Sequence, residues 1–399
     1  MNVIGNESQA LSQSSPARRK VSVRQLSSIV AFAVTCLLIG VALPAFAAKR
    51  VTVKQLDDLL IAAHGKPDGR VAEQLSGLVL TERASSARLS QWETDFPGRR
   101  TRDALIALAD LSAFLDLPSA EIYDRSVPNP DEQRRIVSLA AEYVIKVNPQ
   151  LPNFLATRET AYFEDSPPER STKPGPLNGM EVTEYRPLHV VGRSSVAVTY
   201  RDGREVADSE TPKRHKPDTH SDWLTTTGEF GPILAIVVGD ASHGSVAWSH
   251  WEQGAAGPQA VFHYAVPQEK SHYKVVSPCP AGIEQQFPAY HGEIAVDPAD
   301  GSILRLTMVG DLNSTCRVAK ANIVVEYGAV AIGGRTYFCP VKSISLSEMP
   351  AFDPPKNGQV LPPPSKTRLN EVLFMDYHLF RAESRILTGV SGEPPETNP

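Results

Sequence analysis

Between residues 50 and about 148, apolar side chains recur at intervals of three and four; after Pro152 they recur at every second position. The first interval belongs to helices with one buried face, the second to half-buried strands. In the N-terminal part the spacing predicts four amphipathic helices. Val53, Leu56, Leu59, Leu60 and Ala63 share a face behind a Thr52/Gln55 capping box. Val71, Leu75, Leu78 and Leu80 follow, with Asp68 as their cap. Ala104, Leu105, Leu108, Leu111, Phe114 and Leu115 form a third stripe, and Ile136, Leu139, Ala140, Tyr143 and Val144 a fourth, capped by Asp131. The polar faces mix acidic residues with arginine, which fits a packed bundle better than a membrane-surface helix.

The second part reads as antiparallel strands at 156–164, 245–251, 260–266, 271–276, 290–296, 303–309, 321–327, 336–346 and 368–387. A hairpin at 195–208 turns on Asp202-Gly203, a pair that tolerates positive backbone angles. Short links such as Ile332-Gly333-Gly334-Arg335 predict a meander with neighbours paired in order. One short apolar helix interrupts the strands at 232–238, with Pro232 at its start and Gly239 at its end. The last strand carries Leu369, Leu373, Met375, Tyr377 and Leu379 on one face and Val372, Phe374, His378 and Phe380 on the other. Neither face is polar, so both are expected to be covered. The predicted class is therefore α+β: a helical region at 48–150, then an antiparallel β region at 151–390 whose curved, half-barrel-like sheet holds the inserted helix on its inner face. A two-sheet β-sandwich is the alternative.

The first 47 residues follow a different rule. Arg18, Arg19, Lys20 and Arg24 precede an uncharged apolar run at 29–42, and Ala45-Phe46-Ala47 supplies small residues where a signal peptidase reads. A run of about 14 residues is shorter than the roughly 20 that span a bilayer as a helix. The expectation is a signal peptide at 1–47, cleavage after Ala47, no transmembrane anchor thereafter, and a periplasmic or secreted protein. Ala17-Arg18-Arg19-Lys20-Val21 leaves a twin-arginine route open beside the general one. Residues 391–399 read as a disordered tail.

The formal charge of −5 becomes more negative once the basic leader is removed, which gives no electrostatic basis for binding nucleic acid. Twelve of the 33 prolines lie at 128–130, 167–176 and 350–364, marking these as surface connections. Cys279, Cys316 and Cys339 follow the leader, and an exported chain favours one bridge. Meander order brings the loops of Cys279 and Cys316 to one end of the sheet, so these two are the predicted disulfide. Cys339, inside a strand opposite Gly328, is expected to be a buried, unreactive thiol.

The order of elements over 155–387, helices first and then long antiparallel strands with one short apolar helix among them, resembles the half-barrel fold of periplasmic outer-membrane lipoprotein carriers and related sensor domains. That resemblance implies an apolar concave surface that takes acyl chains, with helices as a lid. The segments Thr226-Thr227-Gly228-Glu229-Phe230-Gly231-Pro232 and Val325-Glu326-Tyr327-Gly328 also resemble a group of bacterial secreted proteins.

No Gly-x-Ser-x-Gly elbow, His-Glu-x-x-His pair or phosphate-cradling glycine loop occurs. Ser242-His243-Gly244-Ser245 reads as the turn leaving the inserted helix. His215, Asp218, His220 and Asp222 share a loop with Lys213, Arg214 and Lys216, whose charge opposes a cation. No catalytic residue, metal ligand or cofactor is assigned. Candidate ligand contacts are Trp248 and Trp251, on opposite faces of one strand, with Phe262, Tyr264, Leu306 and Met308; the competing reading is ordinary core around the inserted helix. The expected function is an exported, soluble, non-catalytic protein that binds an apolar ligand, a lipid or an acylated partner such as a lipoprotein. An envelope hydrolase with a site assembled from distant residues, or an interaction scaffold, is the alternative.

Overall fold

The computed structural model describes residues 48–146, 150–167, 170–174, 180–182, 185–206, 228–254, 257–279, 282–312, 318–350 and 365–380. The helical region begins with β1 (Lys49–Val51), α1 (Val53–Ala63), α2 (Asp68–Ser76) and β2 (Leu78–Leu80), followed by α3 (Ser86–Asp95), α4 (Arg99–Leu111) and α5 (Pro130–Lys146). The Thr52/Gln55 capping box forms, with each side chain bonded to the other's backbone N–H. Asp68 does not cap its own helix. Its carboxylate accepts from the backbone N–H of Arg100 and Thr101 at 3.1 and 2.8 Å, capping α4, whose own N-cap Gly98 has no side chain to offer. Likewise Asp131 lies inside α5, and Asn129 accepts from the Glu132 N–H at 2.9 Å. Leu78 and Leu80 are not helical: they belong to β2, which pairs in parallel with β1.

The strands that follow are β3 (Phe154–Ser166), β4 (Arg170–Pro174), β5 (Met180–Val182), β6 (Arg186–Arg201) and β7 (Arg204–Val206). After α6 (Pro232–Ala241) come β8 (Ser245–Gln253), β9 (Pro258–Val266), β10 (Val275–Cys279), β11 (Gly282–Gln286), β12 (Ala289–Val296), β13 (Ile303–Asp311), β14 (Lys320–Ile332), β15 (Arg335–Pro350) and β16 (Ser365–Leu379). Ten of them form one open antiparallel sheet in the order β7-β6-β3-β16-β15-β14-β13-β12-β9-β8. The meander holds from β12 to β16, but β3 then pairs with β16, so the first long strand joins the last. The predicted strand at 271–276 starts only at Val275 and forms a separate hairpin with β11. Register shifts between β8 and β9, β12 and β13, β14 and β15, β16 and β3, and β3 and β6 bend these strands and curve the sheet.

Two turns follow their residue chemistry. Asp202 and Gly203 have φ of 54° and 79°, as a tight hairpin between β6 and β7 requires. Gly301, at φ 82°, ends the link between β12 and β13 against α5; a Cβ there would lie 2.4 Å from the backbone of Leu139.

Both faces of the sheet are covered, as the pattern of β16 predicted. On one face Leu369 of β16 joins Phe163 and Ala161 of β3, Ile344 and Leu346 of β15 and Val324 of β14 under α1 to α4. On the other, Val372 and Phe374 pack with Phe154, Tyr200 and Phe230, and further along the sheet α5 and α6 supply the cover.

Candidate functional site

Helix α6 is apolar almost all round, Ile233-Leu234-Ala235-Ile236-Val237-Val238, so most of its circumference must be buried. Ile233, Leu234, Val237 and Ala241 share one core with Ile136, Ala140 and Val144 of α5 and with β8, β9, β12, β13 and β14. The helix runs three residues further than its sequence predicts, through Gly239 to Ala241. That extension brings Asp240 into the interior. The buried Asp240 carboxylate accepts from the His272 backbone N–H at 2.8 Å and from the Tyr290 hydroxyl at 2.8 Å, and His272 Nδ1 approaches it at 2.6 Å. Burial and the neighbouring carboxylate push the Tyr290 hydroxyl well above its ordinary pKa, so it remains a donor. The bond from Nδ1 sets the tautomer of His272 and leaves Nε2 available, with the side chain mostly exposed.

Beside α6 lies a half-open cavity of about 780 Å³. Its apolar lining includes Phe230, Ile233 and Ile236 from α6 and the turn before it, with Val275, Met308 and Ile323 opposite. Ser345 and Ser347 of β15 form part of its wall, and Arg204, Glu205, His272 and Lys274 supply its charged and titratable groups. This volume falls inside the range of small-molecule sites, roughly 300 to 1,000 Å³.

The six candidate contacts all sit on this face. Trp248 and Trp251, however, are not on opposite sides of β8. The extra residue at the β8/β9 bulge restores them to one side, where the rings meet edge to face with centroids 5.0 Å apart. Trp248 also meets Phe262 at 5.4 Å, Trp251 donates from Nε1 to the Ser126 carbonyl at 2.9 Å, and Tyr264 donates to the Thr307 carbonyl at 2.6 Å. Trp251, Phe262, Tyr264, Leu306 and Met308 are buried in the core around α6; of the six, Met308 lines the cavity. Sequence reasoning missed the residues that close the site, Ile236, His272, Lys274 and the β15 serines. The serines alternate with Ile344 and Leu346, so a period-two reading assigns them to the face opposite those two.

The opposite face holds a network that sequence reasoning also missed. Arg305 of β13 pairs with Glu252 at 2.7 Å and Glu293 at 3.2 Å, and Arg83 reaches Glu252 at 2.8 Å. Lys342 of β15 is shared by Asp110 of α4 at 2.6 Å and Glu371 of β16 at 2.9 Å. Burial alone raises Glu252, but Arg305, His250 and Arg83 outweigh it and hold its carboxyl well below the usual range. For Asp110 burial prevails over Lys342 and pushes the carboxyl up to about 7, and its second oxygen has no partner. At the edge of this face Ser249 Oγ stands 2.9 Å from His263 Nε2, but His263 Nδ1 is 3.6 Å from Glu293, beyond hydrogen-bond reach, and Glu293 is committed to Arg305.

Cys339 is buried opposite Gly328 as expected, and burial pushes its thiol up to about 12. Cys316 and the loop of His215, Asp218, His220 and Asp222 lie outside the described residues, as do the leader at 1–47 and the tail at 391–399. Among the described residues no helix is long and apolar enough to cross a membrane. No protein-family model, curated protein or solved structure matches this chain.

Proposed function

We propose that this chain is an exported, non-catalytic binding protein that takes the apolar part of a lipid or acylated partner into the cavity beside α6. The observation that carries this reading is the half-open cavity of about 780 Å³ with Phe230, Ile233, Ile236, Met308 and Ile323 in its lining. A chain that leaves such surface open within a core otherwise closed by aromatic packing forgoes burial energy there, at about 25 cal/mol per Å² of apolar area, which a ligand recovers on binding. The likeness of element order to the half-barrel carriers points the same way. The test is a titration of the mature protein with N-phenyl-1-naphthylamine, paired with mass spectrometry of an organic extract. Saturable fluorescence or a co-purified acyl compound is expected; a protein with neither is not an acyl binder.

A hydrolytic second reading is favoured by one arrangement, the buried Asp240 holding His272 at the cavity rim. It predicts turnover of p-nitrophenyl esters that His272→Gln abolishes while dye binding remains.

A further inference from the structure

Three serines of β15 stand at every second position, Ser343, Ser345 and Ser347, on the face that looks toward the cavity. They are buried, at 1, 9 and 4% exposure. Ser345 and Ser347 line the cavity, and their hydroxyls make no hydrogen bond among the described residues; of the three, only the Ser343 hydroxyl is enclosed without a partner, and Ser343 is not among the residues that line the cavity. Hydroxyls facing a half-open cavity can be met by water when it is empty and can donate to a ligand when it is filled.

The charges at the same cavity point to the nature of that partner. Arg204 and Lys274 line it, both exposed, and neither makes an ion pair among the described residues. Glu205, the carboxylate beside them, lies 3.6 Å from Arg158, and the His272 ring is tied to Asp240. The cavity is thus cationic on a chain whose net charge is −5. An arginine and a lysine with no counter-charge among the described residues, beside donor hydroxyls, suit an anion, and Ile236, Met308 and Ile323 suit a hydrocarbon chain.

We propose that the cavity takes a single-chain anionic amphiphile, its chain against α6 and β13–β14 and its carboxylate or phosphate head held by Arg204, Lys274 and the β15 hydroxyls. This rests on the cavity being a ligand site at all, and the experiment separates the two statements. Oleate, 1-oleoyl-lysophosphatidate and oleyl alcohol compete against N-phenyl-1-naphthylamine on the full mature protein, its Arg204→Glu/Lys274→Glu variant and its Ser345→Ala/Ser347→Ala variant. Both anions are expected to displace the dye at concentrations about tenfold below the alcohol, the worth of one charged hydrogen bond. Reversing the two charges should erase that advantage, and removing the two hydroxyls should reduce it severalfold, with melting temperatures unchanged because the cations are exposed and the hydroxyls unbonded. If one anion alone shows the advantage, the head is identified as carboxylate or phosphate. Equal displacement by oleyl alcohol, or an advantage that survives both double variants, overturns the anionic head while the apolar site stands. A dye that never binds overturns both.

Discussion

Between the helical region and the sheet Arg83, Arg305, Asp110 and Glu371 are buried and Glu252, Glu293 and Lys342 partly so, and each meets an opposite charge within 3.2 Å. Across the same strands, one residue along, the buried Ser343 hydroxyl has no partner, and Ser345 and Ser347 line the cavity. Lys342 and Ser343 are neighbours in sequence and opposites in circumstance. Charges cannot be left unpaired in a dry interior, so their pairing reports only that the fold is closed there. A neutral hydroxyl without a partner costs far less, about 1 to 3 kcal/mol, and one that faces an open cavity can be met by water. The difference separates a face closed by paired charges from a face that carries an open cavity, the one proposed to take a ligand.

The comparison is broken most severely by removing a shared cation. Lys342→Met leaves Asp110 and Glu371 buried side by side, and a loss of about 3 to 5 kcal/mol in urea unfolding is expected. A loss under about 1 kcal/mol would mean that water reaches this network. The second effect is a matter of sign. Asp110 has its carboxyl raised to about 7 by burial, so between about pH 4 and 7 the folded chain keeps a proton the unfolded chain has released. Stability from this group is full below pH 4 and falls as pH rises to 7. Unfolding of Asp110→Asn across that range should lack this decline, and a parallel profile would refute the assignment. On the other face, Ile236→Arg places a charge in the cavity lining and should weaken dye binding by about a hundredfold while the melt stays within a few degrees. The smallest effect expected is that of Ser343→Ala, within about 0.5 kcal/mol of the parent or slightly stabilising, because no bond is lost. A cost above 1 kcal/mol would reveal a partner for that hydroxyl and undo the contrast with Lys342.

Much of the scaffold was legible because it obeys local rules. Thr52 and Gln55 announce α1, Asp202-Gly203 announces the β6–β7 hairpin, and the mixed faces of β16 announce cover on both sides. Helix α3 escaped notice because Leu89 and Trp92 are its only buried residues, too few to register as a stripe. Trp251 was placed on the wrong side because a single extra residue at Ser249 reverses the parity of everything after it, and nothing in the local composition marks a bulge. The ion network was invisible for a different reason. Arg305, Glu252 and Lys342 alternate with apolar neighbours as solvent-facing residues do, and only the packing of α4 and the Arg83 segment over them makes that face an interior. Of the residues read as a possible apolar surface, Met308 lines the cavity, while Trp248 and Phe262 pack in the core around α6.

The pairing of β3 with β16 has a consequence for how the molecule is made. Glu164 and Arg368, bonded across this seam at 3.0 Å, are 204 residues apart in the chain. During synthesis β3, β6 and β7 emerge early and wait, with one edge of β3 unpaired, until the last described strand appears to complete the row. Such a topology has a high entropic cost of closure and a slow final step. A chain cut short before residue 365 would therefore lose more than its end: it would strand its own beginning as an open, adhesive edge.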